Sequence, residues 1–260
     1  MKIGISTAAY YGALETEDAA ARLAALGVDC CEVFLETFSE YTPGFAALVR
    51  ARLGNTRAVS VHNRTIHFEW DLVGQSARQR TDALHHLRGF CQAGQVLGAG
   101  IYVFHGPGLV RGQTPNLAAW QEGLEEAMQM AADHGLTLAW ETVSWCALNT
   151  PGRVRELLAV WPNLRFVLDI KQVLELGQNP VDYVEAMGDR LCHLHMLDFD
   201  ARGRHALPGS GAHDFKDLAA ALRLNGYQGD IILEPYGSMR ASDEALLASV
   251  RFLRERFQAE

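Results

Sequence analysis

Short apolar segments alternate with longer amphipathic segments along the sequence, and this alternation limits the folds that the chain can adopt. The apolar segments often contain β-branched or aromatic residues, which is typical of strands buried on both faces. The predicted strands are 2–6, 30–35, 58–62, 100–105, 137–141, 165–169, 191–196 and 229–234. The predicted helices are 16–26, 44–53, 76–97, 114–134, 150–161, 180–187, 215–224 and 241–257.

Residues at the ends of the predicted helices support these boundaries. Pro115 and Pro151 each follow a threonine, which predicts an N-cap followed by the first helical residue. Four helices end at a glycine, which favours left-handed backbone: Gly27, Gly98, Gly135 and Gly226. Eight strands alternating with eight helices predict one domain over residues 1–260, a single (β/α)8 TIM barrel. A doubly wound open sheet is the alternative, but its nucleotide-binding forms lose support because the sequence lacks their glycine-rich motifs.

Composition and charge argue against several classes of protein. The net charge is −8, whereas proteins that bind nucleic acid or anionic membranes non-specifically usually have a basic surplus. No apolar stretch reaches the roughly 18 residues of a membrane span, and the N-terminal residues do not resemble a signal peptide. The five cysteines are odd in number and lack CxxC spacing, which is typical of buried thiols in a reducing compartment. We therefore expect a cytoplasmic protein with no nucleic-acid or membrane partner.

Histidine and carboxylate residues stand at or near the ends of consecutive predicted strands. In chain order they are His62, His105, Glu141, Asp169, His195 and Glu234. The C-terminal ends of barrel strands surround one mouth, where barrel enzymes keep their active sites. Period-two alternation turns the three carboxylates toward the inside of that mouth. We therefore expect these side chains to form one polar site.

The last four of these residues form an oxygen-rich set with one imidazole. Three carboxylates held close together would take up protons unless a cation compensated their charge. Such a set suits Mn²⁺, Mg²⁺ or Co²⁺, with Zn²⁺ as an alternative, better than it suits a soft metal. We therefore predict one divalent metal ion with four protein ligands: Glu141, Asp169, His195 and Glu234.

Seven short motifs, in their order and spacing, resemble those of the xylose isomerase-like superfamily of barrels. That family includes sugar and sugar-phosphate isomerases and epimerases, hydroxypyruvate isomerase, inosose and dehydroshikimate dehydratases, and endonuclease IV. The resemblance covers the whole chain, and no single motif is specific. The motifs are VHN at 61–63, FHG at 104–106, WET at 140–142, LDIKQ at 168–172, HLHMLD at 193–198, LPGSG at 207–211 and LEP at 233–235.

The resemblance implies a metal-dependent isomerase or epimerase of a small sugar, keto-sugar or sugar phosphate. In the family, a Glu, an Asp, a His and a Glu from strands five to eight bind one divalent metal, and they match the four ligands predicted above. Glu141 and Glu234 would also be catalytic, one taking a proton from the carbon beside the carbonyl and the other returning it through an enediolate. His62 and His105 would contact substrate hydroxyls, or hold a second metal as in the nuclease.

Departures from the family pattern also bear on the site. Many relatives have a His three residues after the strand-six Asp, where this chain has Gln172. Lys171 beside it is interpreted as the partner of an acidic neighbour, or as an electrophile or a contact to a substrate anion. Where the nuclease has Asp-x-His, this chain has Gly203-Arg204-His205, so a third metal site lacks ligands. Arg204 lies on a long loop and is either solvated or a contact for a substrate carboxylate or phosphate.

Three other functions stay open. Loss of a β-hydroxyl at the same site would make the protein a metal-dependent dehydratase of a cyclic polyol or keto acid. An endonuclease IV-like repair enzyme would need more metals and a basic face, and a barrel without catalysis would only bind sugar. The expected partner is a small carbohydrate substrate. The sequence leaves open which sugar this is and whether the chain forms a homo-oligomer.

Overall fold

The computed structural model describes residues 1–64, 66–109, 114–239 and 241–258. Eight parallel strands close a barrel, and two short strands form an antiparallel hairpin outside it. The barrel strands are β1 (Ile3–Ser6), β2 (Cys30–Leu35), β3 (Arg57–Asn63), β4 (Ile101–Phe104), β5 (Thr137–Glu141), β6 (Arg165–Asp169), β7 (Leu191–Met196) and β10 (Asp230–Leu233). The hairpin consists of β8 (Asp198–Phe199) and β9 (His205–Ala206). Around the barrel the strand order is β1-β10-β7-β6-β5-β4-β3-β2.

The helices cover the outside of the barrel and follow the predicted alternation. They are α1 (Thr16–Ala25), α2 (Pro43–Leu53), α3 (His67–Leu72), α4 (Ala77–Leu97), α5 (Leu117–Asp133), α6 (Pro151–Val160), α7 (Ile170–Glu175), α8 (Pro180–Met187), α9 (Lys216–Leu224) and α10 (Asp243–Phe257). Single 3₁₀ turns lie at Thr7–Tyr10, Phe38–Glu40, Gly188–Arg190 and Gly237–Met239. The predicted (β/α)8 barrel is confirmed. Within the described ranges, no helix is both long and apolar enough to cross a membrane.

Most predicted helix ends are confirmed, and one is wrong. Thr150 caps α6 and Pro151 is its first residue, as expected. Pro115, in contrast, precedes α5, because the side chain of Asn116 accepts the Ala119 N–H and caps the helix there. The four glycines expected after helices all have positive φ angles. Two short helices, α3 and α7, were not predicted, because six residues give too little periodicity to separate a helix from a loop.

Small apolar side chains fill the barrel interior beneath the C-terminal mouth. Val103, Ala139 and Val167 pack together as one buried cluster. Ala139 lies two residues before Glu141, and Val167 lies two residues before Asp169. Because alternate residues of a strand face the same side, this packing places both carboxylates on the inner face of the barrel. The predicted orientation of these strands is therefore confirmed.

Candidate active site

Four side chains from neighbouring barrel strands meet at the C-terminal mouth. Each offers a carboxylate oxygen or an imidazole nitrogen, and these atoms all lie within 4.8 Å of one another. Each residue is no more than 3% exposed to solvent. They are the predicted metal ligands, Glu141, Asp169, His195 and Glu234.

In-register pairing of parallel strands explains this convergence. Asp169 ends β6 and pairs directly with His195 of β7. Glu141 ends β5 and pairs with Val167, two residues before Asp169. The strand β10 is also in register with β7, which brings Glu234, the residue after β10, to the same level. The sequence places these residues correctly because strand ends in a barrel share one mouth.

Burial and neighbouring charges shift the pKa values of the cluster in opposite directions. Burial favours the protonated carboxyl, but the positive charge of His195 outweighs it and lowers the pKa of Glu141 and Glu234. Burial, opposed by the Lys171 ammonium, raises the pKa of Asp169 to about 6. Burial alone would lower the pKa of His195, but the surrounding carboxylates raise it well above its usual value. The carboxylates therefore draw positive charge into the site.

The chemistry of this donor set fits one divalent cation. Three carboxylates and one imidazole supply mainly oxygen ligands, which Mn²⁺, Mg²⁺ and Co²⁺ accept. A cation would also compensate carboxylate charges that are buried away from water. The four side chains could therefore hold a metal ion.

His62 and His105 adjoin this cluster and contact each other. Their Nε2 atoms lie 2.9 Å apart. The Nδ1 atom of His62 lies 3.1 Å from Glu234 Oε1, and the Nε2 atom of His105 lies 3.6 Å from Glu141 Oε2. Candidate ligand atoms of His62, His105 and Glu141 also lie within 4.8 Å of one another. Both histidines therefore lie next to the cluster, and their contact with a substrate stays a prediction.

Lys171 lies at the edge of the same cluster. Its Nζ is 3.5 Å from Asp169 Oδ2, and only 13% of its side chain is exposed. Burial alone would lower the pKa of Lys171, but Asp169 and the two nearby glutamates raise it above its usual value. The expected pairing with an acidic neighbour is therefore observed, and its contact with a substrate stays a prediction.

Gln172 stands where many relatives have a histidine, and its side chain forms hydrogen bonds within the protein. Its Oε1 accepts hydrogen bonds from the backbone N–H of Ser144, at 2.9 Å, and from the Ser144 hydroxyl, at 2.8 Å. Its own backbone N–H donates to Asp169 Oδ1. Through these hydrogen bonds, Gln172 connects the loop after β5 to the start of α7.

Arg204 lies outside the cluster, in the turn between β8 and β9. Its Nε and one terminal nitrogen lie 2.8 and 2.7 Å from Asp200 Oδ2. The Arg204 side chain is 71% exposed. The structure therefore pairs this arginine within its own loop, and its contact with substrate stays a prediction.

Two buried glutamates that local sequence patterns leave without a role contact the site. Glu32 of β2 lies 3.0 Å from His195 Nε2. Glu69 of α3 accepts the Tyr102 hydroxyl at 2.7 Å and the backbone N–H of His105 at 3.0 Å. The sequence contains one indication of a role for Glu32, because it is the only charged residue in the otherwise apolar strand β2. Glu69 gave no such signal, because α3 itself was not predicted.

Half-exposed aromatic side chains stand around the mouth. Trp145 is 45% exposed and Trp70 is 36% exposed, and their rings are 6.2 Å apart. The Trp145 ring lies nearly parallel to that of His105, with 6.5 Å between the ring centres. Gly108 packs directly against Trp70, where a Cβ would lie 2.7 Å from the indole. The indoles thus form an aromatic wall that leads from solvent toward His105.

Comparison with known proteins agrees with this geometry. A family model described as the xylose isomerase-like TIM barrel matches residues 20–256. Fructoselysine 3-epimerase of Escherichia coli O157:H7 is 28% identical over 155 residues, which are 56% of this chain and 55% of that protein. Inosose dehydratase of Clostridium botulinum (strain Alaska E43 / Type E3) is 25% identical over 132 residues, 43% of this chain and 44% of that protein. The chain thus spans about half the length of the curated relatives it matches.

A solved structure extends the likeness to the whole chain. The crystal structure of D-psicose 3-epimerase, determined in the presence of D-fructose, superposes with a TM-score of 0.82. It is 19% identical in sequence, and the alignment covers 100% of both chains. At this identity the likeness shows a shared fold.

Proposed function

This chain belongs to the xylose isomerase-like TIM barrel family, and on that premise we propose that it is a divalent-metal-dependent epimerase or isomerase of a small sugar or keto-sugar. The observation that carries the proposal is the convergence of three carboxylates and one imidazole within 4.8 Å at the barrel mouth. The relatives named as a fructoselysine 3-epimerase and a D-psicose 3-epimerase support the choice of reaction.

The proposed reaction moves a proton at the carbon next to a carbonyl. A divalent ion held by the four side chains would polarise that carbonyl and make the neighbouring C–H more acidic. Glu141 and Glu234 stand on β5 and just after β10, with β6 and β7 between them. They can therefore approach a bound substrate from two sides, one as base and the other as acid.

The contacts of the two glutamates favour different roles. Glu141 Oε2 lies 3.6 and 3.8 Å from its nearest histidine nitrogens, beyond hydrogen-bond range, so this oxygen can take up a proton. Glu234 Oε1 lies 3.1 Å from His62 Nδ1. His62 can supply Glu234 with the proton that is returned to the substrate. We assign proton uptake to Glu141 and proton return to the pair of Glu234 and His62.

The aromatic wall of Trp70 and Trp145 fits a carbohydrate substrate. Sugar-sized ligands bind in sites where apolar surface surrounds a few polar groups that fix orientation. In this chain the polar groups are the two histidines and Lys171, and the indoles supply apolar surface next to His105. This combination supports a substrate with hydroxyl groups on one side and C–H groups on the other.

The experiment that tests this function is solvent exchange. The protein is stripped with a chelator, reloaded with Mn²⁺ and incubated in D₂O with a panel of ketoses and ketose phosphates. We expect deuterium uptake at the carbon beside the carbonyl of at least one member, with formation of its epimer or isomer. Uptake should stop when the chelator is added. If no member exchanges while the protein holds Mn²⁺, the proposed activity is wrong.

A dehydratase of a cyclic polyol or keto acid is the second candidate. It is favoured by Lys171, whose charged Nζ lies 3.5 Å from Asp169 and could donate a proton to a departing hydroxyl. The similarity to inosose dehydratase supports it as well. Incubation with inosose distinguishes the candidates, because a dehydratase forms an unsaturated or diketone product and an epimerase does not.

A further inference from the structure

A buried carboxylate lies beneath the proposed metal site and is not one of its four ligands. Glu32 is fully buried in the barrel interior, between β1 and β3, where it pairs in register with Ser6 and Ser60. A buried charge is costly unless hydrogen bonds and opposite charges compensate it. Its contacts therefore indicate what the residue does.

Every close partner of the Glu32 carboxylate is a potential hydrogen-bond donor. Its Oε2 accepts the Ser60 hydroxyl at 2.8 Å and lies 3.0 Å from His195 Nε2. Its Oε1 accepts the Ser6 hydroxyl at 3.3 Å and lies 3.5 Å from His62 Nδ1. An ionised carboxylate only accepts hydrogen bonds, so the proton between Glu32 and His195 belongs to His195 Nε2.

The other nitrogen of His195 faces the proposed metal ligands. His195 Nδ1 lies 2.7 Å from Glu141 Oε1 and 3.2 Å from Glu234 Oε2. A neutral imidazole with its proton on Nε2 has a free electron pair on Nδ1, which is the form that binds a metal. Metal-ligating histidines commonly donate their second N–H to a carboxylate.

We propose that Glu32 is a positioning residue of the metal site: by accepting the Nε2 proton of His195, it fixes the ring orientation and the tautomer that turn Nδ1 toward Glu141 and Glu234. This inference rests on the proposed metal-dependent function. It adds a residue from β2 to a site whose ligands all come from the opposite half of the barrel.

A buried layer below the ligands holds Glu32 in place. The Ser60 hydroxyl donates to Glu32, so it accepts from the Nε2 of His193, which lies 3.2 Å away. His193 is fully buried. His193 Nε2 itself is 3.8 Å from Glu32 Oε2. His193 therefore supports Glu32 through Ser60, as a polar residue of the core.

Three variants separate positioning from general support of the fold. Glu32→Gln keeps an oxygen that accepts the Nε2–H, whereas Glu32→Leu removes the acceptor at similar volume. Ser6→Ala is the matched control, because the Ser6 hydroxyl donates to Glu32 Oε1 and not to Oε2, the oxygen that faces His195. Folding of each variant is checked by thermal unfolding, and Mn²⁺ affinity is measured from the paramagnetic resonance signal of free Mn²⁺.

We expect Glu32→Leu to bind Mn²⁺ about 10- to 100-fold more weakly, the usual effect of removing the partner of a metal-ligating histidine. Glu32→Gln should lose less, and Ser6→Ala should bind like wild type. A ¹H–¹⁵N spectrum of the imidazole groups supplies a readout that a merely structural role would not change. In wild type, the Nε2 proton of His195 should be present and protected from exchange, and in Glu32→Leu this protection should disappear.

Two results would overturn the role of Glu32. One is a wild-type His195 without a proton on Nε2, and the other is folded Glu32→Leu protein that binds Mn²⁺ as tightly as wild type. If Glu32→Leu does not fold, the role of Glu32 is tested by comparing the Nε2 proton signal of His195 in wild type and in Glu32→Gln. Wild-type protein that binds no divalent ion would contradict the proposed function. Glu32 is tested separately in metal-free protein, where the Nε2 proton of His195 should exchange more slowly in wild type than in Glu32→Leu.

Discussion

The Nε2 atoms of His62 and His105 face each other at 2.9 Å, which requires that one of them carries a proton. Burial alone would lower the pKa of His62, but hydrogen bonds with Glu234 and Glu32 raise it to about 10. His62 is therefore the proton donor of the pair, and His105 accepts. A substrate hydroxyl can take the place of either partner, because a hydroxyl both donates and accepts.

This arrangement predicts that His105 acts on substrate and not as a ligand of a second metal. His105→Asn should raise KM by about tenfold, the equivalent of 1.4 kcal/mol of binding energy. The Mn²⁺ content should stay at one ion per chain, measured by elemental analysis after gel filtration. Wild-type protein with two ions per chain, one of which is lost in the variant, would show that His62 and His105 bind a second metal.

Asp169 should contribute to metal binding more than to proton transfer. Its Oδ1 accepts the backbone N–H of Gln172, and its Oδ2 lies 3.5 Å from Lys171 Nζ, whose positive charge opposes protonation of this carboxylate. Asp169→Asn should weaken Mn²⁺ binding, and turnover should recover in part when excess Mn²⁺ is added. Titration of activity against Mn²⁺ checks this. A variant with normal Mn²⁺ affinity and no turnover would assign Asp169 a chemical role.

Cleavage of abasic DNA is not expected. Gln172 is engaged with Ser144 where the nuclease needs a histidine, and Gly203 replaces a further ligand. The net charge of −8 also opposes binding to a polyanion. An incision assay with an abasic duplex at low salt, with endonuclease IV as positive control, should show no product. Efficient cleavage that a chelator abolishes would overturn the epimerase proposal.

Gly123 of α5 should not tolerate alanine, although alanine favours helices. A Cβ at this position would lie 2.0 Å from the backbone oxygen of Leu72, at the end of α3. We expect Gly123→Ala to destabilise the protein by about 1–3 kcal/mol, the usual cost of overpacking. Gly44→Ala in α2 is the control, because nothing lies within 4 Å of its added Cβ. Urea unfolding of both variants checks this, and equal stability would contradict the close packing of α3 on α5.

Glu36, the residue after β2, should make the stability of the protein depend on pH. Burial, reinforced by Glu40 and Glu15, raises the pKa of Glu36 to about 7. A carboxyl whose pKa is higher in the folded state destabilises the fold once it ionises, so its penalty is absent below pH 4.5 and complete above pH 7. Glu36→Gln should therefore stabilise the protein at pH 8 and leave its stability unchanged at pH 4.5.

The control for that prediction is Glu185→Gln, which removes the same charge from the exposed face of α8. Thermal unfolding of the two variants is followed between pH 4.5 and pH 8. If Glu36→Gln and Glu185→Gln change the midpoint equally at each pH, the raised pKa of Glu36 is not a source of the pH dependence.

The fold and the convergence of the four candidate ligand side chains could be predicted because both follow from local patterns. Alternation of short strands and longer helices indicates the barrel, and period-two alternation places Glu141 and Asp169 inside its mouth. Glu32 could not be assigned in this way, because its partner His195 lies 163 residues away and no local spacing relates them. The pairing of Arg204 with Asp200 was also missed, because the turn that brings them together depends on the hairpin of β8 and β9.

The most direct test of the central claim is deuterium uptake by a ketose substrate at saturating Mn²⁺, measured for wild type, Glu141→Gln and Glu234→Gln. Glutamine can still offer an oxygen to the metal, but it cannot accept the proton. We predict that exchange falls by about 10² or more in each variant, the usual contribution of a positioned acid or base, while one Mn²⁺ per chain is retained. If both variants exchange as fast as wild type, the two-carboxylate mechanism is wrong, and Lys171 or His105 becomes the candidate base.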